Sequence, residues 1–224
     1  MALITIIIIV ATVLMSLRGF KDYNLFHRYK FQPQAILQHK QYDRMLTAGF
    51  LHVDMTHLLF NMLTLFFFAN VVIGFFGQMT GSIANGSVLF ALVYLGAIIG
   101  GNLLALIFQK DNLRYSAVGA SGGVSGILFA SIVVYPDMDL YLFFAIPIKA
   151  WVFAILYLGY SVYGVQKQLG NIGHEAHLGG AIVGLAAPII IRPELFQINQ
   201  IYILGMLIPI AILLVMAIQS SRSR

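Results

Sequence analysis

Residues 55–109 read MTHLLFNMLTLFFFANVVIGFFGQMTGSIANGSVLFALVYLGAIIGGNLLALIFQ, without one Asp, Glu, Lys or Arg. A helix crosses the hydrocarbon core of a bilayer in about 20 apolar residues, so this run is too long for one crossing. The small and polar residues of GFFGQMTGSIANGS at 74–87 punctuate it. Two membrane spans are expected, roughly 55–73 and 88–108. Strands with unpaired backbone groups cannot stand in lipid, so the spans are read as helices.

The same reading extends in both directions. Upstream, ALITIIIIVATVLMSL at 2–17 is apolar but lacks a basic flank before it and a small-residue cleavage site after it, and is read as a retained first span. A polar stretch at 18–50 follows, containing QAILQHKQYDRMLTAGF, an amphipathic segment suited to the membrane interface. Downstream, a fourth span is expected from near Val118 to before Pro136, then a loop with Asp137 and Asp139. A fifth is expected from about 147 to 165. A sixth, from about 176 to 191, is stopped by Arg192 and Pro193, and a last apolar segment at 199–218 is closed by Arg222 and Arg224. The expected fold is an all-α polytopic membrane bundle of seven helices.

Composition agrees. The chain of 224 residues is 60% hydrophobic and 9% charged, where soluble domains carry about 25% charged residues. Seven spans take up about 140 residues, which leaves no room for a separate soluble domain. The net charge of +5 is read as a topology signal and not as a nucleic-acid footprint. Loops one, three and five and the tail hold 11 of the 13 Lys and Arg, which points that side toward the cytoplasm. With no cysteine there is no disulfide, thiolate zinc site or cysteine nucleophile.

Polar groups at membrane depth are costly and stand as functional candidates. Three sets lie at the beginnings of even-numbered spans and so emerge on one membrane face: His52, His57 and Asn61; Ser121 within Gly119-Ala120-Ser121-Gly122; and His177 within HEAHLGG at 174–180. Gly180 and Gly184 on the sixth span, and Gly122 and Gly126 on the fourth, are small-xxx-small pairs that let helix backbones approach. A third pair, Gly96 and Gly100, suits the third span. A serine hydroxyl meeting an imidazole makes a nucleophile and its base. His57, Asn61 and the Ser121 backbone N–H are candidate donors to an oxyanion. No aspartate lies in a span to orient the histidine, so a dyad is expected.

These residues resemble the rhomboid intramembrane serine proteases. The matches are H-x-x-x-N at His57 to Asn61 with the preceding His52, G-x-S-G at Gly119 to Gly122, and A-H-x-x-G-x-x-x-G from Ala176 through His177 and Gly180 to Gly184. They fall in the family's order, on its second, fourth and sixth helices. The resemblance covers about residues 1–192 as a six-helix catalytic core, and 193–224 resembles the added helix of six-plus-one variants. It implies peptide-bond hydrolysis in or near a transmembrane segment of membrane-protein substrates within the bilayer. Ser121 would be the nucleophile, His177 the base, His57, Asn61 and the Ser121 amide the oxyanion hole, and His52 a support, without metal or cofactor. It further implies a bacterial cytoplasmic membrane and a site opening away from the cytoplasm, opposite to the charge count.

Two positions depart from the family. Many bacterial members carry an aromatic residue four after the nucleophile, stacked on the catalytic histidine; here Ser125 stands there, so something else must hold His177. The first loop's Trp-Arg pair is met by Asp43-Arg44, where only the arginine matches. Other readings weigh less. Ser121 alone would more often be a packing or capping serine, and His57, Asn61 and His177 alone would be interhelical glue. His174 and Glu175 read as loop residues, and the sequon Asn85-Gly86-Ser87 as chance. His52, His57, His174 and His177 are a candidate metal set, though they lack the i, i+4 histidine pair of a helical zinc protease. A non-catalytic rhomboid-like client-binding protein would not need both Ser121 and His177, and a proton or cation transporter would need acidic residues in the spans.

Overall fold

The computed structural model describes residues 2–142, 145–167 and 173–222. In chain order the elements are α1 (Leu3–Lys21), α2 (Tyr23–Tyr29), α3 (Pro33–Leu37), α4 (Arg44–Thr47), a 3-10 turn (Ala48–Phe50), α5 (Met55–Thr80), α6 (Ile83–Gln109) and α7 (Ser121–Val134). There follow β1 (Asp139–Leu142), β2 (Ile146–Lys149), α8 (Ala150–Lys167), α9 (His174–Ile191), α10 (Glu194–Ile198) and α11 (Gln200–Arg222). Among the described residues, α1, α5, α6 and α9 are long and apolar enough to cross a membrane, and Ser121–Val134, Ala150–Val165 and Gln200–Ile212 are shorter apolar helices. These seven correspond to the expected spans. Leu14, Leu59, Phe60, Leu92, Ile107, Leu156, Ile190 and Ile201 all point outward. A soluble monomer rarely exposes so much apolar surface, and here it faces lipid.

The bundle is built around α7. Every residue of this helix from Gly122 to Val134 is buried, which explains why its sequence is apolar on all sides. Glycines permit the close packing. A side chain at Gly180 would overlap the Gly122 carbonyl, and one at Gly184 the Gly126 carbonyl, so α7 and α9 touch backbone to backbone. On the other face of α9, a Cβ at Gly179 would lie 2.6 Å from the Gly100 oxygen and 2.8 Å from the Gly101 Cα of α6.

Several boundaries differ from those read in the sequence. The break between the second and third spans is not the whole of 74–87 but Gly81 and Ser82. Gly81, at φ +66°, ends α5 in the left-handed region, and Ser82 caps α6. Gly77 and Gly86 are packing residues instead: a Cβ at Gly86 would lie 2.6 Å from the Gly77 nitrogen. The amphipathic stretch of the first loop is broken into α3, α4 and the 3-10 turn. It folds onto α6, burying Ala35, Ile36 and Ala48, and the Asn102 amide donates to the Met45 carbonyl at 2.9 Å.

The fourth span begins at Ser121, not Val118, because 117–119 is held as extended chain by the first loop. Phe31 and Ala117 exchange backbone bonds of 2.9 and 3.1 Å, and Gly119 N–H donates to the Ala48 carbonyl at 3.0 Å. The loop with Asp137 and Asp139 forms a hairpin, β1 antiparallel to β2 with Asp139 opposite Lys149, so the fifth span starts at Ala150. That hairpin gave no sequence signal, since its residues are as apolar as the spans around it. The sixth span starts two residues early, at His174.

Candidate active site

Asp54 starts the construction. It caps α5, its side chain accepting the His57 N–H at 2.7 Å, the role for which aspartate is favoured at a helix N-terminus. His57 therefore leaves the first turn of α5 at a defined azimuth. Asn61, one turn on and buried, donates an amide hydrogen to the His57 carbonyl at 3.1 Å, which leaves its second amide hydrogen for another acceptor.

Opposite His57 the chain enters α7 through Gly119 at φ +140°, a conformation that side chains rarely adopt. A Cβ there would lie 2.8 Å from His57 Cε1, 3.1 Å from His57 Nε2 and 3.5 Å from Ser121 Oγ. The absent side chain is thus the space on which the imidazole edge and the serine hydroxyl both border. Ser121 is the first residue of α7, and Ala120 before it offers no side-chain cap. The first-turn N–H groups of the helix are left to meet a negative charge. With 14 residues, α7 rises about 21 Å, less than the roughly 30 Å of a hydrocarbon core, so its start lies below the membrane surface. Ser121, His57 and His177 are each partly exposed.

His52 is fully buried beneath this turn. Its Nε2 accepts the Ala120 N–H at 3.2 Å and its Nδ1 lies 2.9 Å from Ser16 Oγ, which also donates to the Phe50 carbonyl at 3.0 Å. Ser16 has one proton, given to Phe50, so the network assigns the hydrogen of the imidazole to Nδ1. Every polar atom is then satisfied with a neutral ring. Burial, with His57 edge-on at 4.9 Å, holds the His52 pKa down to about 3, against a weaker opposing pull from Asp54. His52 thus ties α1, the loop before α5 and the serine turn together. Both of its ring nitrogens are committed, which removes it from the metal set considered from sequence. Among the described residues no three His, Asp or Glu side chains gather as ligands would.

His177 lies in the first turn of α9, its N–H donating to the Gly173 carbonyl at 3.0 Å. Among the described residues no hydrogen bond joins it to Ser121. The two approach through their neighbours, since a Cβ at Gly122 would lie 3.3 Å from the Ala176 carbonyl oxygen. Of the glycines expected to support the site, Gly119 borders it, while Gly122, Gly180 and Gly184 set the α7–α9 contact beneath it. Against the His177 ring lies Tyr157 of α8, centroids 6.0 Å apart and planes 24° apart. Tyr157 OH lies 2.5 Å from Ser125 Oγ.

His174 and Glu175, expected in a loop, are buried in α9. The His174 ring fills the space a side chain at Gly164 would need, and Glu175 accepts from the Gln109 amide at 2.6 Å. Ser16 and Tyr157 were both missed in the sequence. A serine in an otherwise apolar first span was a signal for the first; a tyrosine among 11 was none for the second. Arg44, matched in the first loop, is buried and donates to the His27 and Lys30 carbonyls at 2.9 and 2.7 Å and to Gln41 at 2.6 Å. Asp43 pairs with Arg28 at 2.7 Å.

Comparison with known proteins gives a match to the Rhomboid domain family over residues 39–194. The chain is 31% identical over 169 residues to RHOMBOID-like protein 12, mitochondrial, of Arabidopsis thaliana, covering 68% of this chain and 47% of that protein. It is 29% identical to Rhomboid protein 1, mitochondrial, of Saccharomyces cerevisiae, covering 70% and 45%. It is also 29% identical to Rhomboid protease GluP of Bacillus subtilis, covering 70% and 27%. The matched region is less than half the length of each of these relatives.

Proposed function

This chain belongs to the rhomboid family, and from that membership we propose that it is an intramembrane serine endopeptidase acting on the transmembrane segments of membrane-protein substrates. Ser121 Oγ attacks the scissile carbonyl carbon while His177 takes its proton. The imidazolium returns that proton to the leaving amine, and water then hydrolyses the acyl-enzyme with His177 again the base. The Ser121 N–H, His57 and the second amide hydrogen of Asn61 donate to the oxyanion. His52 holds the turn without entering the chemistry. Residues 1–192 form the catalytic unit, with 193–224 an added helix and tail.

The observation that carries this reading is the shared space at Gly119, bordered by His57 Cε1 and Nε2 and by Ser121 Oγ at the uncapped start of a buried helix. A packing serine would have no need of an imidazole facing it across an empty position. The test is cleavage of a model transmembrane substrate by the detergent-purified protein and its Ser121→Ala and His177→Ala variants. Cleavage by the parent alone is expected, and cleavage by Ser121→Ala at the parental rate would refute the reading.

The chain is an integral membrane protein. The names of its relatives point to mitochondria as well as to a bacterium, and lend no support to the bacterial inner membrane expected from sequence. We propose that the site opens to the non-cytoplasmic face. Because the chain has no cysteine, a single cysteine at exposed Tyr42 reports this: an impermeant maleimide applied from the non-cytoplasmic side should label it, and labelling only from the cytoplasmic side would reverse the orientation.

A further inference from the structure

We propose that Tyr157 is the positioning residue for His177, holding the imidazole from α8 in place of a carboxylate or of a ring on α7. This rests on the dyad reading above. A general base must present one nitrogen to the nucleophile along a narrow direction, and an imidazole on a flexible side chain does so only if its plane is fixed. Among the described residues no carboxylate hydrogen-bonds to His177. Its ring has instead one broad neighbour, Tyr157, at 6.0 Å and 24°, an offset stack of the kind aromatic pairs favour.

The stack is itself held on three sides. Tyr157 OH is bonded to Ser125 Oγ at 2.5 Å, and Phe129 and Phe153 pack on the ring at 5.7 and 5.9 Å. Ser125 is one helical turn after Ser121 on α7, so the Tyr157 hydroxyl reads the position of the helix that carries the nucleophile while its face reads the base on α9. One side chain from a third helix thereby sets the two reacting groups against each other. The small residue at 125 is part of this arrangement: Ser125 is buried, and its hydroxyl is the partner the phenol requires.

The experiment compares the parent with Tyr157→Leu, Tyr157→Phe and Ser125→Ala. It reads kcat and KM on a model transmembrane substrate, the rate at which a fluorophosphonate labels Ser121, and thermal unfolding in detergent. Tyr157→Leu should lose about 10²-fold in both kcat and labelling rate, the scale of a misplaced catalytic group, with KM within about twofold. Tyr157→Phe keeps the stack and loses one neutral hydrogen bond, so it and Ser125→Ala should fall by no more than about fivefold. In the parent and in Tyr157→Phe the His177 ring protons should show a ring-current shift that Tyr157→Leu removes.

A folded Tyr157→Leu labelled at the parental rate overturns the positioning role alone. A parent that is not labelled at Ser121 overturns the protease reading and this role together. If Tyr157→Leu does not fold, the other two variants decide: near-parental labelling with the ring-current shift kept supports the stack, and a 10²-fold loss in either overturns it.

Discussion

Replacing Gly179 with alanine should separate α9 from α6 and cost more in turnover than in stability. A Cβ at Gly179 would lie 2.6 Å from the Gly100 carbonyl oxygen and 2.8 Å from the Gly101 Cα. Both are backbone atoms and cannot swing away, and ordinary contact begins near 3.4 Å, so α9 must retreat by about 0.8 Å. Overpacking of this kind costs about 1–3 kcal/mol, against a gain of up to about 1 kcal/mol from alanine's better helix propensity. The net loss is about 1–2 kcal/mol. His177 lies half a turn before Gly179 and moves with it, and a misplacement near 1 Å can cost about 10²-fold in rate. Gly96 is the control on the facing helix, because a Cβ there meets only Val183 Cγ1 at 3.9 Å. Gly96→Ala should gain up to about 1 kcal/mol and keep full activity. Thermal unfolding in detergent and cleavage of a transmembrane substrate read the two effects. Equal turnover in the two variants would refute the claim that the α6–α9 contact sets the position of the histidine.

Gly119→Ala adds backbone strain of about 1–3 kcal/mol and drives a methyl into the space bordered by His57 and Ser121. Cleavage should fall by at least about 10²-fold, the cost of losing an oxyanion donor, and the fluorophosphonate labelling rate checks it. His52, neutral when folded, takes up a proton at ordinary pH only after unfolding. Its contribution to stability is therefore intact above pH 6.5 and lost as the pH falls toward 3; unfolding midpoints at pH 7.5 and 5.0 should differ less in His52→Gln than in the parent. Arg44→Ala removes charged hydrogen bonds to two carbonyls and should cost about 2–3 kcal/mol of stability. Arg44→Lys should restore little of it, because an ammonium cannot reproduce the fork. Thermal unfolding of both variants decides this.

The candidate site was legible wherever its signal lay in a short stretch of chain. Ser121 between its glycines, His57 with Asn61 four residues on, and His177 with Gly180 and Gly184 along one helix face are spacings within single helices. The boundaries were less legible for a related reason. In an apolar chain glycine serves both turns and helix contacts, so Gly77 and Gly86 looked like a break and are packing, while Gly81 is the break. His174 and Glu175 looked like loop residues because they are polar, but α9 buries them beside Gly164 and Gln109, partners 10 and 66 positions away in the chain.

Hydropathy and spacing were enough to settle that this chain is a membrane bundle and that three polar sets emerge on one face, because burial in lipid forces helices and helices alternate direction. The rotation of each helix about its axis follows from which backbones touch, and that is a property of pairs distant in sequence. Only the folded bundle could turn Tyr157 toward His177 and Ser125, bury His52 between Ser16 and Ala120, and leave the space at Gly119 open between an imidazole and a hydroxyl.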